Sequence, residues 1–177
     1  MDRTADAALG NPRLAFWGYT NSCGATAVLA LARQLRACEA VIDGRAEITR
    51  FFYETPGPID DLMILAVRGA GGPLQWDGGW DQLATALPSA DRGFDAIICE
   101  SFDRIGRNVM RVFGREHLVA EHGATILCAN EPWPELSEFV AAPSDRLRRR
   151  ITMALGEDSY AMANALLARV KVRRGGG

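Results

Sequence analysis

The sequence contains almost no lysine and few histidines and cysteines. Lys171 is the one lysine among the 20 basic residues of this 177-residue chain, and the others are arginines. The formal net charge is -2, which excludes a uniformly basic protein that binds polyanions through its overall charge. The four cysteines form no CxxC pair, and with the two histidines they give no zinc-binding spacing. We therefore expect neither a metal nor a cofactor.

Long hydrophobic runs are also missing. No apolar stretch is long enough to cross a membrane, and the N-terminus lacks the basic-then-apolar pattern of a secretory signal. Cys99 and Cys128 lie inside short apolar runs, where a buried, reduced thiol is expected. These absences predict a cytoplasmic protein that has no contact with a membrane.

Apolar segments of two kinds alternate along the chain. Short apolar runs predict strands, and segments with apolar residues at helical spacing predict helices. The predicted strands are residues 14–20, 48–53, 93–99 and 124–129, and the predicted helices are 24–41, 80–87, 104–121 and 143 to about 173. This alternation predicts an α/β fold: a mainly parallel sheet of four or five strands between two helical layers, with a long C-terminal helix.

The same pattern gives the expected organisation of the chain. Residues 1–142 are expected to form one α/β domain, with a loose N-terminus over residues 1–12. Residues 143–177 are expected to form the long helix and a short tail.

A polar stretch, residues 100–108 (ESFDRIGRN), follows the third predicted strand. Asp103 is expected to cap the helix that begins at Arg104. Arg104 and Arg107 are three residues apart and point the same way from the first turn. Because the helix dipole disfavours cations there, the placement favours a binding role. Guanidinium groups beside free helix N–H groups form a phosphate-binding surface.

A second loop, residues 20–24, follows the first predicted strand. The carboxyl ends of parallel strands meet at one edge of a sheet, which is where ligands bind in such folds. We therefore expect the loops at 20–24 and 100–104 to converge.

These features resemble the catalytic domain of serine recombinases of the resolvase/invertase family. In that family the first strand is followed by Tyr-x-Arg-x-Ser and then by a helix that carries a glutamine. Here the strand is followed by Tyr19 to Cys23 (YTNSC), and Gln34 lies on the next helix. The family's Asp-Arg-x-x-Arg block is matched by Asp103, Arg104 and Arg107. The last helix resembles the one that builds the family's dimer and leads toward DNA.

The resemblance implies a metal-free reaction in which a serine hydroxyl attacks a DNA phosphate, while arginines neutralise the developing charge. On this basis Ser22 and Cys23 are the nucleophile candidates, and Arg104 and Arg107 are the phosphate ligands. Five further residues are expected to lie at the DNA backbone: Asn21, Asp103, Arg146, Arg149 and Arg150. The implied partners are DNA and either a second copy of the chain or a companion recombinase.

Several positions depart from the family pattern. Cys23 is in register with the family's serine, and Asn21 with the preceding arginine. Ser22 comes one residue early, so its hydroxyl would point away unless the loop bends. After the second strand only the distant Arg68 is a candidate for the family's next arginine, and residues 158–160 (DSY) replace a Glu-Arg pair. Each lost donor costs about 3–4 kcal/mol, so we expect weakened or absent strand transfer.

Other interpretations of these residues stay open. Cys23 would be a small buried residue at a strand end, Asp103 only a helix cap, and the arginines of 146–150 a solvated helix face. The alternative function is a non-catalytic module that binds DNA or a recombinase and oligomerises through the last helix. An unrelated α/β phosphate-binding enzyme is a third hypothesis.

The family's DNA-reading module would follow the long helix, and none follows here, so we expect weak, salt-sensitive and non-specific DNA binding. The sequence does not define a DNA site or the type of strand exchange.

Overall fold

The computed structural model describes residues 11–57, 74–106 and 109–131. Several predictions concern residues outside these ranges: the loose N-terminus, Arg68, Arg107, and the C-terminal helix with Arg146, Arg149 and Arg150. The description that follows concerns the described residues alone.

The described elements alternate between strand and helix, as the sequence predicts. The strands are β1 (Arg13–Tyr19), β2 (Glu47–Glu54), β3 (Ala96–Cys99) and β4 (Ile126–Cys128). The helices are α1 (Gly24–Ile42), α2 (Trp80–Ala86) and α3 (Val109–Glu121), with a short 3-10 turn at Phe102–Arg104. The four strands pair in the order β2-β1-β3-β4, and every pairing is parallel. The prediction of an α/β fold with a parallel four-stranded sheet is confirmed.

The sheet has an apolar core on each face. Side chains alternate along β1, so Leu14 and Phe16 face one side, and Ala15 and Trp17 face the other. The first face packs against α1, which contributes Cys38 and Ile42 among others. The second packs against α2 and α3, which contribute the following buried residues: Trp80, Leu83, Val112 and Val119. The molecule is therefore built in three layers, and burial of each large apolar side chain stabilises it by about 1.5–3 kcal/mol.

The outer edge of β2 is covered by residues 77–79. Tyr53 N donates to Gly78 O (3.0 Å), and Asp77 N donates to Phe51 O (2.7 Å). Gly78 has a φ of 125°, and a Cβ there would lie 2.5 Å from Gln82. The position therefore requires glycine. This turn leads directly into α2 and sets its first residue, Trp80, against the end of β2.

Two sequence predictions are wrong in detail. The helix after β3 begins at Val109 and not at Arg104, so Asp103 does not cap an α-helix. Cys23 is exposed and not a small buried residue, because β1 ends four residues earlier, at Tyr19. Cys99 and Cys128 are buried in β3 and β4, as predicted. Within the described ranges, no helix has the length and hydropathy that a membrane crossing requires.

Candidate functional site

The strand order creates a crevice at one edge of the sheet. The chain leaves β1 for α1 on one face, and it leaves β3 for α3 on the opposite face. Because these adjacent strands are parallel, their connections diverge from the same edge. In open α/β sheets, ligands bind at such a topological switch point. We call this edge, bordered by residues 20–23 and 100–106, the β1/β3 rim. The two loops singled out from the sequence both lie there.

The loop that follows β3 is fixed from the core. The indole Nε1 of Trp17 donates to the carbonyl oxygen of Arg104 (2.8 Å), and Nη1 of Arg115 donates to the carbonyl oxygen of Ile105 (2.6 Å). Trp17 and Ile105 are fully buried. Two successive carbonyls of this loop are therefore held by side chains from β1 and α3.

Arg115 connects several parts of the rim. Its guanidinium group stacks over the rings of Trp17 and Trp80, 5.2 Å and 4.2 Å from the ring centroids. Its Nη2 also lies 3.6 Å from the carboxylate of Glu54 at the end of β2. Burial lowers the pKa of Arg115, while the Glu54 carboxylate acts in the opposite direction.

Two guanidinium groups converge on one carboxylate at the rim. Oε2 of Glu100 accepts from Nη2 of Arg33 (3.0 Å) and from Nε of Arg104 (3.1 Å), and Oε1 of Glu100 pairs with Nη1 of Arg33. Nη1 of Arg104 also lies 3.4 Å from the Asp103 carboxylate. We call Arg33, Glu100, Asp103 and Arg104 the rim ion cluster. Its two positive and two negative formal charges cancel.

Sequence reasoning missed Arg33, because the helical pattern places it off the apolar face of α1. The same helical pattern places its neighbour Gln34 off the apolar face, but Gln34 is only 1% exposed. Gln34 Oε1 accepts from Tyr19 N (3.1 Å), and Gln34 Nε2 donates to Tyr19 O (2.8 Å). The sequence signal that could have identified Arg33 is its neighbour Gln34 on the helix after β1. The two hydrogen bonds of Gln34 fix this turn of α1 against the end of β1.

The loop that follows β1 is held mainly through its backbone. Thr20 N donates to Glu54 O (3.2 Å), and Ser22 N donates to Thr20 Oγ1 (3.1 Å). The hydroxyl of Tyr19 donates to Oδ1 of Asn21 (2.6 Å). Ser22 is half-buried, whereas the side chain of Cys23 is exposed on extended backbone. Cys23 therefore faces a more open environment than Arg104, whereas Ser22 and Arg104 are both half-buried.

The nucleophile candidates and Arg104 share the rim but not a contact. The side chain of Gln34 lies beside Tyr19, at the end of β1. The helix α1 begins at Gly24, ten residues before Gln34, and ten residues of helix span about 15 Å. The first turns of α1 therefore extend beyond the sheet, and Cys23 lies near their start. Within the described part of the chain, no hydrogen bond or ion pair joins Ser22 or Cys23 to Arg104.

The remaining candidates are placed as follows. Asp103 lies in the 3-10 turn, where it pairs with the Ser101 hydroxyl and with Arg104. Asn21 lies at the rim beside Tyr19. Among the described residues there is no group of three potential metal ligands. The arrangement offers guanidinium donors for an anion.

An open cleft of about 460 Å³ adjoins the rim on the face that α2 and α3 cover. It is lined by Glu54, Trp80, Arg111, Gly114, Arg115 and Leu118. Because Arg111 is exposed there, the cleft is a second place where an anion could bind. A variant of Arg111 distinguishes binding in the cleft from binding at the rim.

Comparisons with known proteins give weak likeness alone. No protein-family model matches the chain, and no curated protein matches it. Among solved structures, the chain is similar to the C-terminal catalytic domain of ISC1926 TnpA, an IS607-like serine recombinase. The identity is 15%, the TM-score is 0.47, and the match covers 92% of this chain and 99% of that one. A likeness of this size assigns no family, so the functional argument rests on the rim itself.

Proposed function

We propose that this chain is a serine-recombinase-like protein of DNA recombination that holds phosphodiester groups at the β1/β3 rim and transfers DNA strands weakly or not at all. The convergence of Arg33 and Arg104 on one anion at the switch-point crevice is the observation that carries the proposal. Guanidinium forks match the two free oxygens of a phosphodiester. The order of the YTNSC and DRIGR segments in the chain supports the same function.

The environment of the nucleophile candidates supports weak strand transfer. A hydroxyl or thiol attacks phosphate efficiently when an adjacent base activates it and donors stabilise the developing charge. Among the described residues, no hydrogen bond or ion pair joins Ser22 or Cys23 to Arg104. Each missing donor costs about 3–4 kcal/mol of transition-state stabilisation, or a factor of about a hundred to a thousand in rate.

The test is a search for a covalent protein–DNA adduct. The full chain is incubated with nicked and with supercoiled DNA, and the products are separated on a denaturing gel beside Ser22→Ala, Cys23→Ala and Arg104→Gln. We expect non-covalent binding at low salt and little or no covalent band. A strong band that Ser22→Ala or Cys23→Ala abolishes would identify the nucleophile and overturn the claim of weak transfer. Absence of DNA binding at low salt would overturn the proposal as a whole.

A second candidate function is a non-catalytic module that binds DNA or a recombinase and oligomerises through residues 143–173. It is favoured by the charge balance of the rim ion cluster, in which two carboxylates already neutralise two guanidinium groups. Leu155→Glu and Leu166→Glu in the full chain are then expected to convert a dimer to a monomer on a sizing column. A wild-type monomer would contradict this role.

A further inference from the structure

We propose that Glu100 is an internal counter-ion that occupies the phosphate position of the rim, and that Arg33 is a second phosphate ligand beside Arg104. The inference rests on the proposed function, because it takes phosphodiester binding at the rim as given. It adds Arg33 as a phosphate ligand and the side chain of Glu100 as an autoinhibitory contact. Neither residue belongs to the YTNSC or the DRIGR segment.

The hydrogen bonds of Glu100 define the anion position. Its two carboxylate oxygens accept from three guanidinium nitrogens, two of them on Arg33 and one on Arg104. These arginines come from different elements, α1 and the turn after β3, so packing of α1 against the sheet brings them together. A phosphodiester also presents two free oxygens. It can therefore take over the same donors when the carboxylate leaves.

Exposure of the three side chains makes this exchange feasible. The side chain of Arg33 is 59% exposed and that of Arg104 is 29% exposed, whereas that of Glu100 is 14% exposed. An incoming anion therefore reaches the guanidinium groups from solvent. Ion pairs with an exposed partner change an equilibrium by no more than about fivefold, so a polyanion can compete with the carboxylate.

The backbone of Glu100 stays fixed during such an exchange. Its carbonyl oxygen accepts from Asn130 N (3.1 Å), in the segment that follows β4. Only the side-chain torsions of Glu100 have to change when the carboxylate leaves. The two arginines then face only the Asp103 carboxylate, which leaves one uncompensated positive charge, whereas the closed cluster carries none.

The first experiment removes the charge of Glu100. Glu100→Gln is compared with Glu39→Gln, which makes the same change of charge at an exposed position on α1. Binding of a short labelled DNA duplex of arbitrary sequence is followed by anisotropy, and binding of inorganic phosphate by NMR. We expect Glu100→Gln to bind both about fivefold tighter, the effect of removing the competing ion pair. Glu39→Gln is expected to change the affinity by less than about twofold, because exposed charges are screened.

The second experiment tests Arg33 as a ligand. In the Glu100→Gln background, Arg33→Gln is expected to weaken DNA binding about tenfold. The matched control is Arg36→Gln, an exposed arginine one turn further along α1, which is expected to weaken it by less than about twofold. In a double-mutant cycle, the loss caused by Arg33→Gln is larger in Glu100→Gln than in the wild type. Equal losses in the two backgrounds would overturn the counter-ion role.

The outcomes separate the inference from the proposed function. If Arg104→Gln weakens DNA binding while Glu100→Gln leaves it unchanged, the counter-ion is overturned and the proposed function stands. If neither variant changes binding, both fail.

If Glu100→Gln does not fold, the inference is tested on the wild type, by following the NMR resonances of its arginine Nε–H groups. Those of Arg33 and Arg104 are expected to shift together as inorganic phosphate is added. A shift of Arg104 alone, or of neither, would overturn the inference.

Discussion

The two loops of the β1/β3 rim lie side by side but are held in different ways. The loop at 100–106 receives side-chain hydrogen bonds from the core, from Trp17 and Arg115. The loop at 20–23 is held by backbone N–H groups, and the Cys23 side chain is exposed. The loop that carries Arg104 is thus preorganised, whereas the loop with the nucleophile candidates is anchored at its base by Gln34.

This difference separates binding from catalysis in one site. Preorganised donors stabilise charge without reorganisation, and Arg104 meets this requirement. A nucleophile must also be held at a fixed distance from those donors, and among the described residues no hydrogen bond or ion pair joins Ser22 or Cys23 to Arg104. The rim therefore suits phosphate binding better than phosphoryl transfer.

The variant with the largest expected effect tests how the core holds the loop at 100–106. Arg115→Leu removes the donor to the Ile105 carbonyl and the ion pair with Glu54, whose carboxylate keeps the hydrogen bond from Trp80 N. We expect the free energy of unfolding, measured by urea denaturation, to fall by about 3 kcal/mol. The control Arg111→Leu, at an exposed position on the same helix, is expected to change it by less than about 0.5 kcal/mol. Equal effects of the two variants would remove the distinction between the loops.

Gln34→Leu tests the anchor of the other loop. The variant leaves both the N–H and the carbonyl of Tyr19 without their side-chain partner. We expect a loss of about 2 kcal/mol in the free energy of unfolding. Gln82→Leu, which removes an exposed glutamine that accepts from Gly79 N, is expected to cost about 0.5 kcal/mol. A loss no larger than that of Gln82→Leu would show that this anchor is unimportant.

Trp17→Phe tests the hydrogen bond to the Arg104 carbonyl more narrowly. The phenyl ring keeps most of the buried apolar surface but lacks the indole N–H. We expect a loss of about 1.5 kcal/mol, measured by the same denaturation. Trp76→Phe, at a tryptophan that is 65% exposed, serves as the control and is expected to have almost no effect. If the Trp17 variant is as stable as the wild type, the loop at 100–106 does not depend on this bond.

Thiol labelling tests the exposure of the loop at 20–23 without an effect on stability. Cys23 is exposed, and Cys38, Cys99 and Cys128 are buried. Burial raises the pKa of the Cys38 thiol, so that thiol stays protonated and unreactive at neutral pH. We expect one of the four thiols to react with a colorimetric reagent in the native protein, and none in Cys23→Ser. Rapid labelling of a second thiol, or none in the wild type, would contradict the structure.

The layers of the fold were predictable because they depend on local patterns. β1, β3 and β4 are mainly apolar runs, and α1 repeats apolar residues at helical spacing. The start of α3 at Val109 was not predictable from capping rules. In the preceding turn, Trp17 bonds to the carbonyl of Arg104, which lies 87 residues later in the chain. Arg115 bonds to the carbonyl of Ile105, which lies 10 residues earlier.

The rim itself was only half predictable. Strand order and parallel pairing bring the two loops to one edge, and the DRIGR segment identified Arg104. The pairing of Arg33 with Glu100 spans 67 residues of sequence and depends on how α1 packs against β3. Hydrophobic periodicity does not encode that contact, so Arg33 was found only in the structure.

The measurement that tests phosphate binding at the rim most directly is a DNA titration at several salt concentrations. The wild type is compared with Arg104→Gln, with Arg111→Gln in the adjoining cleft, and with Arg36→Gln as a control. The account predicts that Arg104→Gln alone weakens binding, by about tenfold, and lowers the salt dependence by about one phosphate contact. Unchanged binding in Arg104→Gln together with weaker binding in Arg111→Gln would place the anion in the cleft and contradict the account.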